Sequence, residues 1–213
     1  MVLLSLRQAS DFYSFVCSYG IVAPRPPAYD IERYLNIRSA SEPSFGPDGQ
    51  LACVMDTVGV PQAWRLDAPG AWPEQLTFHE EAVGFADFSP TRDELVFGMD
   101  NGGDEHRQLF RLAGDGSEEL NLSRHPEAIH NWGGWSHDGE RIAFTVNRRS
   151  RADFDGYVQH RDEMGTEADL VLDGRGTDPL LAGGWSPDDD FFLFPRVPLE
   201  HRPRRPPRRT GVG

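Results

Sequence analysis

A turn motif recurs four times along this chain and constrains its fold more than any other feature. Phe45-Gly-Pro-Asp-Gly49 precedes the alternating stretch Leu51-Ala-Cys-Val-Met55, and 43 residues on Phe88-Ser-Pro90 precedes Glu94-Leu-Val-Phe-Gly-Met99. After 47 more residues Trp135-Ser-His-Asp-Gly139 precedes Arg141-Ile-Ala-Phe-Thr-Val146. After a further 50, Trp185-Ser-Pro-Asp-Asp189 precedes Phe191-Phe-Leu-Phe194. The aromatic closes one buried strand. Proline presets φ at the first corner, aspartate bonds back to the turn backbone, and glycine supplies positive φ. The next strand then returns antiparallel.

Further strand candidates lie between these turns. Ala63-Trp-Arg-Leu66 is followed by Asp67-Ala-Pro-Gly70 and Gln75-Leu-Thr77; Gln108-Leu-Phe-Arg-Leu112 by Gly114-Asp-Gly116 and Glu119-Leu-Asn-Leu122. Tyr157-Val-Gln159 is followed by Asp162-Glu-Met-Gly165 and Leu170-Val-Leu172. Four short strands at a repeat length in the forties are the signature of a β-propeller blade. A sandwich of short strands would alternate in the same way without repeating the turn. The expected fold is all-β: an incomplete propeller of about three and a half four-stranded blades, at about 42–79, 83–123, 130–174 and 180–194.

Charge narrows the partners. The 213 residues include 34 acids and 21 basic residues, every one of them arginine. Residues 29–194 hold 32 of the acids and only 13 arginines, a net charge of −19. A body so acidic offers no footprint for bare nucleic-acid phosphates, so no nucleic-acid partner is expected. Carboxylates without lysine fit a salt-loving archaeon, where net charge serves solubility; a GC-rich genome that favours arginine codons is the other reading. Hydrophobic residues make up 38%, too many for a disordered acidic tail. Cys17 and Cys53 are too few for a disulfide framework or a thiolate metal site. No apolar run approaches the ~18 residues of a membrane span, so no membrane partner and a cytoplasmic location are expected.

The repeats resemble the TolB-like (WD-like) propeller repeat. The order of segments is similar to something narrower, the N-terminal propeller of prolyl oligopeptidase-family serine peptidases, within the haloarchaeal acylaminoacyl-peptidase or dipeptidyl-aminopeptidase-like group. The likeness rests on Tyr29-Asp-Ile-Glu-Arg-Tyr-Leu-Asn-Ile-Arg38, Pro43-Ser-Phe-Gly-Pro-Asp-Gly49, Trp132-Gly-Gly-Trp-Ser-His-Asp-Gly139 and Gly184-Trp-Ser-Pro-Asp188, and spans about 29–194. It implies a propeller that filters peptides by size for a separate α/β-hydrolase domain. A non-enzymatic propeller that binds proteins or peptides shares the same motifs, since fold alone does not fix activity.

In such peptidases the nucleophile sits in a G-x-S-x-G elbow. Gly134-Trp-Ser-His-Asp138 has aspartate in place of the second glycine and lies in a turn between strands, so Ser136 reads as a turn residue; Ser186 repeats that turn. No catalytic, cofactor or metal residue is assigned, and no cofactor is expected. His125, His130 and His137 cross a loop and a strand at a spacing unsuited to one metal. Asp100-Asn-Gly-Gly-Asp-Glu105 reads as a solvated hairpin tip, and Trp64, Trp132, Trp135 and Trp185 as core.

Both ends differ from the body. Residues 1–28 lack its acidity and lack the basic start of a signal peptide, and read as a poorly structured extension. Residues 195–213 carry six arginines among prolines and read as a disordered basic tail. One codon set compatible with that tail, shifted by a nucleotide, encodes an acidic peptide ending in the alternating pattern Val-His-Leu-Val-Glu-Leu. A frameshift that cuts the propeller before its catalytic domain is therefore the expectation, leaving the chain inactive alone and prone to self-association through unpaired blade edges.

Overall fold

The computed structural model describes residues 38–175 and 183–195; the readings for 1–28 and for the tail beyond Pro195 lie outside the described residues. The first sheet comprises β1 (Ala40–Phe45), β2 (Leu51–Met55), β3 (Gln62–Leu66) and β4 (Glu74–Gln75). The second comprises β5 (Val83–Phe88), β6 (Glu94–Met99), β7 (Gln108–Ala113) and β8 (Glu119–Asn121). The third comprises β9 (His130–Trp135), β10 (Arg141–Ser150), β11 (Asp153–His160) and β12 (Asp169–Leu172), and β13 (Gly184–Trp185) pairs with β14 (Phe192–Leu193). Every sheet is an antiparallel meander in chain order.

The repeated motif closes all four hairpins with one shared backbone bond. The amide after each aromatic donates to a carbonyl at, or one residue before, the start of the next strand: Gly46 to Gln50, Ser89 to Glu94, Ser136 to Arg141 and Ser186 to Phe191, all at 2.8–2.9 Å. The corner that needs positive φ is Gly49 (84°) and Gly139 (72°), and Asp189 takes it at 58° in the fourth turn. That aspartate has a second task. Its carboxylate accepts the main-chain N–H groups of His137 (2.9 Å) and Asp138 (3.0 Å), joining the fourth turn to the third. Thr91 Oγ1 likewise donates to the Asp138 carbonyl (3.0 Å), and Gln50 Nε2 to Asp93 (3.2 Å), so each turn is tied to the next.

The cores lie between sheets. On β6, Leu95 and Phe97 join Ala52, Val54, Phe88 and Leu112 in a layer between the first and second sheets. Val96, facing the other way, joins Trp135, Ile142, Phe144 and Tyr157 between the second and third. Period-2 alternation with both faces apolar means a sheet buried on both sides. The motif aromatic follows this order: Phe88 is 3% exposed and Trp135 8%, but Phe45, with no described sheet over it, is 72% exposed. The expectation that the aromatic closes a buried strand fails at Phe45 for that reason.

One hairpin exceeds its sequence reading. β10 runs on to Ser150 and β11 starts at Asp153, although Asn147-Arg-Arg-Ser-Arg151 has no apolar alternation. Charge takes over there: Arg149 pairs with Asp155, and Arg148 lies 3.9 Å over the Tyr157 ring while donating to the Gly165 carbonyl at 2.8 Å.

Candidate functional site

The serine and histidine candidates are spent on structure. Ser136 is fully buried; its hydroxyl donates to Asp138 Oδ1 (2.5 Å) and accepts the Arg141 N–H (2.9 Å). Ser186 makes the same pair of bonds with Asp188 (2.5 Å) and the Phe191 N–H (3.0 Å). Neither hydroxyl is hydrogen-bonded to a histidine among the described residues, and each of these two turns uses its serine as a brace. His137 Nδ1 meets Asp189 Oδ1 at 2.7 Å, His130 Nδ1 meets the Arg107 carbonyl at 3.0 Å, and His125 uses its N–H on Gln108 Oε1 at 3.3 Å. The His130 and His137 rings therefore face different partners, and His125 contributes a main-chain bond. Burial pushes the His130 imidazole down to about 4, because charging it would strand a cation among apolar side chains. Among the described residues, no group of three or more His, Cys, Asp or Glu side chains is placed to hold a metal ion. At the 100–105 tip, Asp104 Oδ1 accepts the His106 N–H (2.9 Å), and this bond holds its carboxyl below the usual range.

The first strands of three sheets converge on a cleft of about 570 Å³, lined by Glu42, Phe85, Asp87, Arg107, Asn131 and Trp132 among others. Glu42, Phe85 and Trp132 each stand three residues before their motif aromatic, so one strand position from each sheet meets here. Each first strand has a register shift beside this position, between Ser41 and Ser44, between Val83 and Phe85, and opposite Ala143/Phe144. Bulges re-aim side chains, and these turn theirs toward the cleft. Glu42 adopts φ 51°, a left-handed conformation costly for a residue with a Cβ.

The floor is rigid. Phe85 and Trp132 stack at 5.8 Å and 18°. The Asp87 carboxylate accepts Ser44 Oγ (2.7 Å) and Trp132 Nε1 (2.8 Å), stitching three first strands together. Trp132 thus serves the cleft as well as the core. The Arg107 side chain lies along Gly84 and Gly98: a Cβ on Gly98 would meet Arg107 Cδ at 3.0 Å and Phe85 Cε1 at 2.3 Å. Arg107 is exposed and forms no ion pair among the described residues; the same holds for Glu42.

Sequence reasoning missed the residues that hold the connecting loops. Gln62 Nε2 donates to the carbonyls of His79 and Glu81, both at 3.0 Å, and its Oε1 accepts the His79 N–H at 3.0 Å. Gln108 does the same for the next loop, donating to the Ala128 carbonyl (2.9 Å) and accepting the His125 N–H. In register the third member is Asp155, opposite Val146 as Gln62 is opposite Met55 and Gln108 opposite Met99. It accepts the Gly174 N–H at 2.8 Å and adds a bidentate pair with Arg149. A signal was available: Leu76-Thr-Phe-His-Glu-Glu-Ala82 recurs as Leu122-Ser-Arg-His-Pro-Glu-Ala128.

Neither a family model nor a curated protein sequence matches the chain. Solved structures do. TolB from Acinetobacter baumannii superposes with a TM-score of 0.58 at 15% identity, over 76% of this chain and 39% of that one. A protein described as TolB from Agrobacterium tumefaciens gives 0.52 at 20% identity, over 76% and 60%. A prolyl endopeptidase gives 0.60 at 11% identity, over 91% and 32%. The fold is a TolB-like β-propeller. The chain spans less than two thirds of the length of these propeller proteins.

In propeller terms, the four sheets are three blades and the start of a fourth. The cleft lies where first strands of successive blades meet, the position that surrounds the channel of a propeller. A second cavity of about 550 Å³ lies between the third blade and β13–β14, lined by Arg141, Val158, Val171, Trp185 and Phe192. Arg141 sits 4.9 Å over the Trp185 ring and donates to the Asp189 carbonyl at 2.8 Å. Phe191 (71% exposed) and Leu193 (73%) leave this edge apolar. Among the described residues no helix is long and apolar enough to cross a membrane.

Proposed function

We propose that this propeller is the substrate-gating part of a prolyl oligopeptidase-family serine peptidase, admitting peptides to a hydrolase domain that other residues supply. The observation that carries the reading is the cleft, with its aromatic floor and charges of both signs on the first strands of three blades. The structural likeness to a prolyl endopeptidase over 91% of this chain supports it. No G-x-S-x-G occurs in the sequence, and both candidate hydroxyls are bonded into turns, so the hydrolytic step belongs elsewhere.

The chain alone should leave acyl- and aminoacyl-nitroanilides intact. The test is the DNA adjoining the coding sequence and the protein made from it. An adjoining frame with G-x-S-x-G whose joint product cleaves those substrates supports the reading. If no hydrolase is encoded beside the gene in any frame, the reading fails. A non-enzymatic module that binds proteins or peptides then takes its place, a reading favoured by the TolB likenesses. The location is proposed as cytoplasmic, and the unpaired blade edges as a route to self-association.

A further inference from the structure

Arg107 lines the cleft and forms no ion pair among the described residues, whereas seven other described arginines pair with carboxylates. Arg65, Arg111, Arg149 and Arg161 all pair with carboxylates, and Arg141 is committed to the Asp189 carbonyl and the Trp185 ring. Two glycines, Gly84 and Gly98, leave the space in which Arg107 lies, and Gly98 admits no Cβ without displacing it or Phe85. Glu42, also in the cleft lining, stands beside a bulge at φ 51° and forms no ion pair among the described residues. Strain at a non-glycine residue persists where the surroundings impose it, often beside a ligand. The Phe85–Trp132 stack lines the same cleft.

We propose that this cleft is a seat for short peptides with both termini free. Arg107 receives the terminal carboxylate, Glu42 the terminal ammonium, and the Phe85–Trp132 floor an apolar side chain. The volume, about 570 Å³, falls in the range of small-ligand sites. A neutral sugar would cover both charges without pairing either, which is costly. An anionic sugar would satisfy Arg107 but meet the like charges of Glu42 and Asp87. A zwitterion matches both signs, and the planar guanidinium suits a carboxylate in bidentate fashion.

This inference rests on the reading that the propeller handles peptides, and one titration separates the two. The full chain is titrated calorimetrically with Ala-Phe-Ala, its N-acetyl form, its C-terminal amide and the doubly capped form, with digalacturonate as the competing class. The free peptide should bind most tightly, each cap costing about tenfold or more, as expected for loss of a charge-assisted hydrogen bond. Arg107→Gln should weaken the free peptide about tenfold and leave the amide unaffected; Glu42→Gln should do the same against the N-acetyl form. Neither side chain makes a hydrogen bond among the described residues, so both variants should keep the parent far-UV spectrum. Equal binding of all four peptides, or no effect of either substitution, overturns the seat while peptide gating stands. Absence of any peptide binding, or binding of digalacturonate alone, overturns both.

Discussion

Asp155→Ala should be among the most destabilising single changes in this protein. The Asp155 side chain is 1% exposed and accepts three bonds: Arg149 Nε at 2.5 Å, Arg149 Nη2 at 2.6 Å and the Gly174 N–H at 2.8 Å. Burial alone would raise its carboxyl, but the Arg149 guanidinium and the Gly174 amide outweigh that and hold it below the usual range. Removing one partner of a buried pair typically costs about 3–5 kcal/mol. Arg149 is 36% exposed and keeps a second contact with Asp173 at 2.9 Å, which lowers the expected loss to about 2–3 kcal/mol. Asp173→Ala is the control, because Asp173 is 36% exposed and its loss should cost much less than that of Asp155. Urea unfolding followed by tryptophan emission measures both variants at one salt concentration. If the two midpoints shift equally, or Asp155→Ala costs less than about 0.5 kcal/mol, a threshold at the level of an ordinary surface substitution, the brace in the third blade is not what holds the loop at Gly174.

His130 sets a pH limit. It is 2% exposed and its folded value lies near 4, against 6.5 for the free side chain, so the unfolded chain binds the extra proton first. Stability from this group is full above pH 6.5, falls as pH drops toward 4, and is then flat, with a total loss of about 3 kcal/mol. Urea midpoints from pH 7 to 4 should show that slope on top of the carboxylates, and His130→Leu should reduce it; an unchanged slope refutes the assignment. The motif aromatics give a second contrast. Phe88→Ala should cost about 3–5 kcal/mol, whereas Phe45→Ala should cost almost nothing. Phe45→Ser should instead reduce self-association in light scattering, and an unaltered mass distribution would exclude that edge as the sticky one.

Strand positions were legible wherever alternation and turn chemistry agreed. The turns at Gly49 and Gly139 follow from their glycines, and β6 from Leu95-Val-Phe97, because apolar period-2 runs have few other solutions. The extension of β10 through Arg149 was hidden, since its stabilisation comes from ion pairs and a ring contact that leave no apolar pattern. The Gln62, Gln108 and Asp155 braces were hidden for another reason. Their equivalence lies in cross-strand register, and the third member replaces a neutral amide with a shorter, charged group that recruits Arg149.

The cleft was least legible because its residues do not repeat. Three residues before each motif aromatic stand Glu42, Phe85 and Trp132, a carboxylate and two rings in one structural position. Directly before each brace stand Pro61, Arg107 and Phe154, so the guanidinium occurs once where its equivalents are apolar. Packing between blades asks for similar chemistry in successive repeats, supplied by Ser89, Ser136 and Ser186 in the turns, Gln62 and Gln108 in the braces, and buried Phe88 and Trp135. A position freed from that demand, yet aimed inward by a bulge beside it, can differ from blade to blade without harming the cores. Variation at Glu42 and Arg107 falls on such positions, and there the three blades together form a surface that combines Glu42, Asp87 and Arg107 with the Phe85–Trp132 stack.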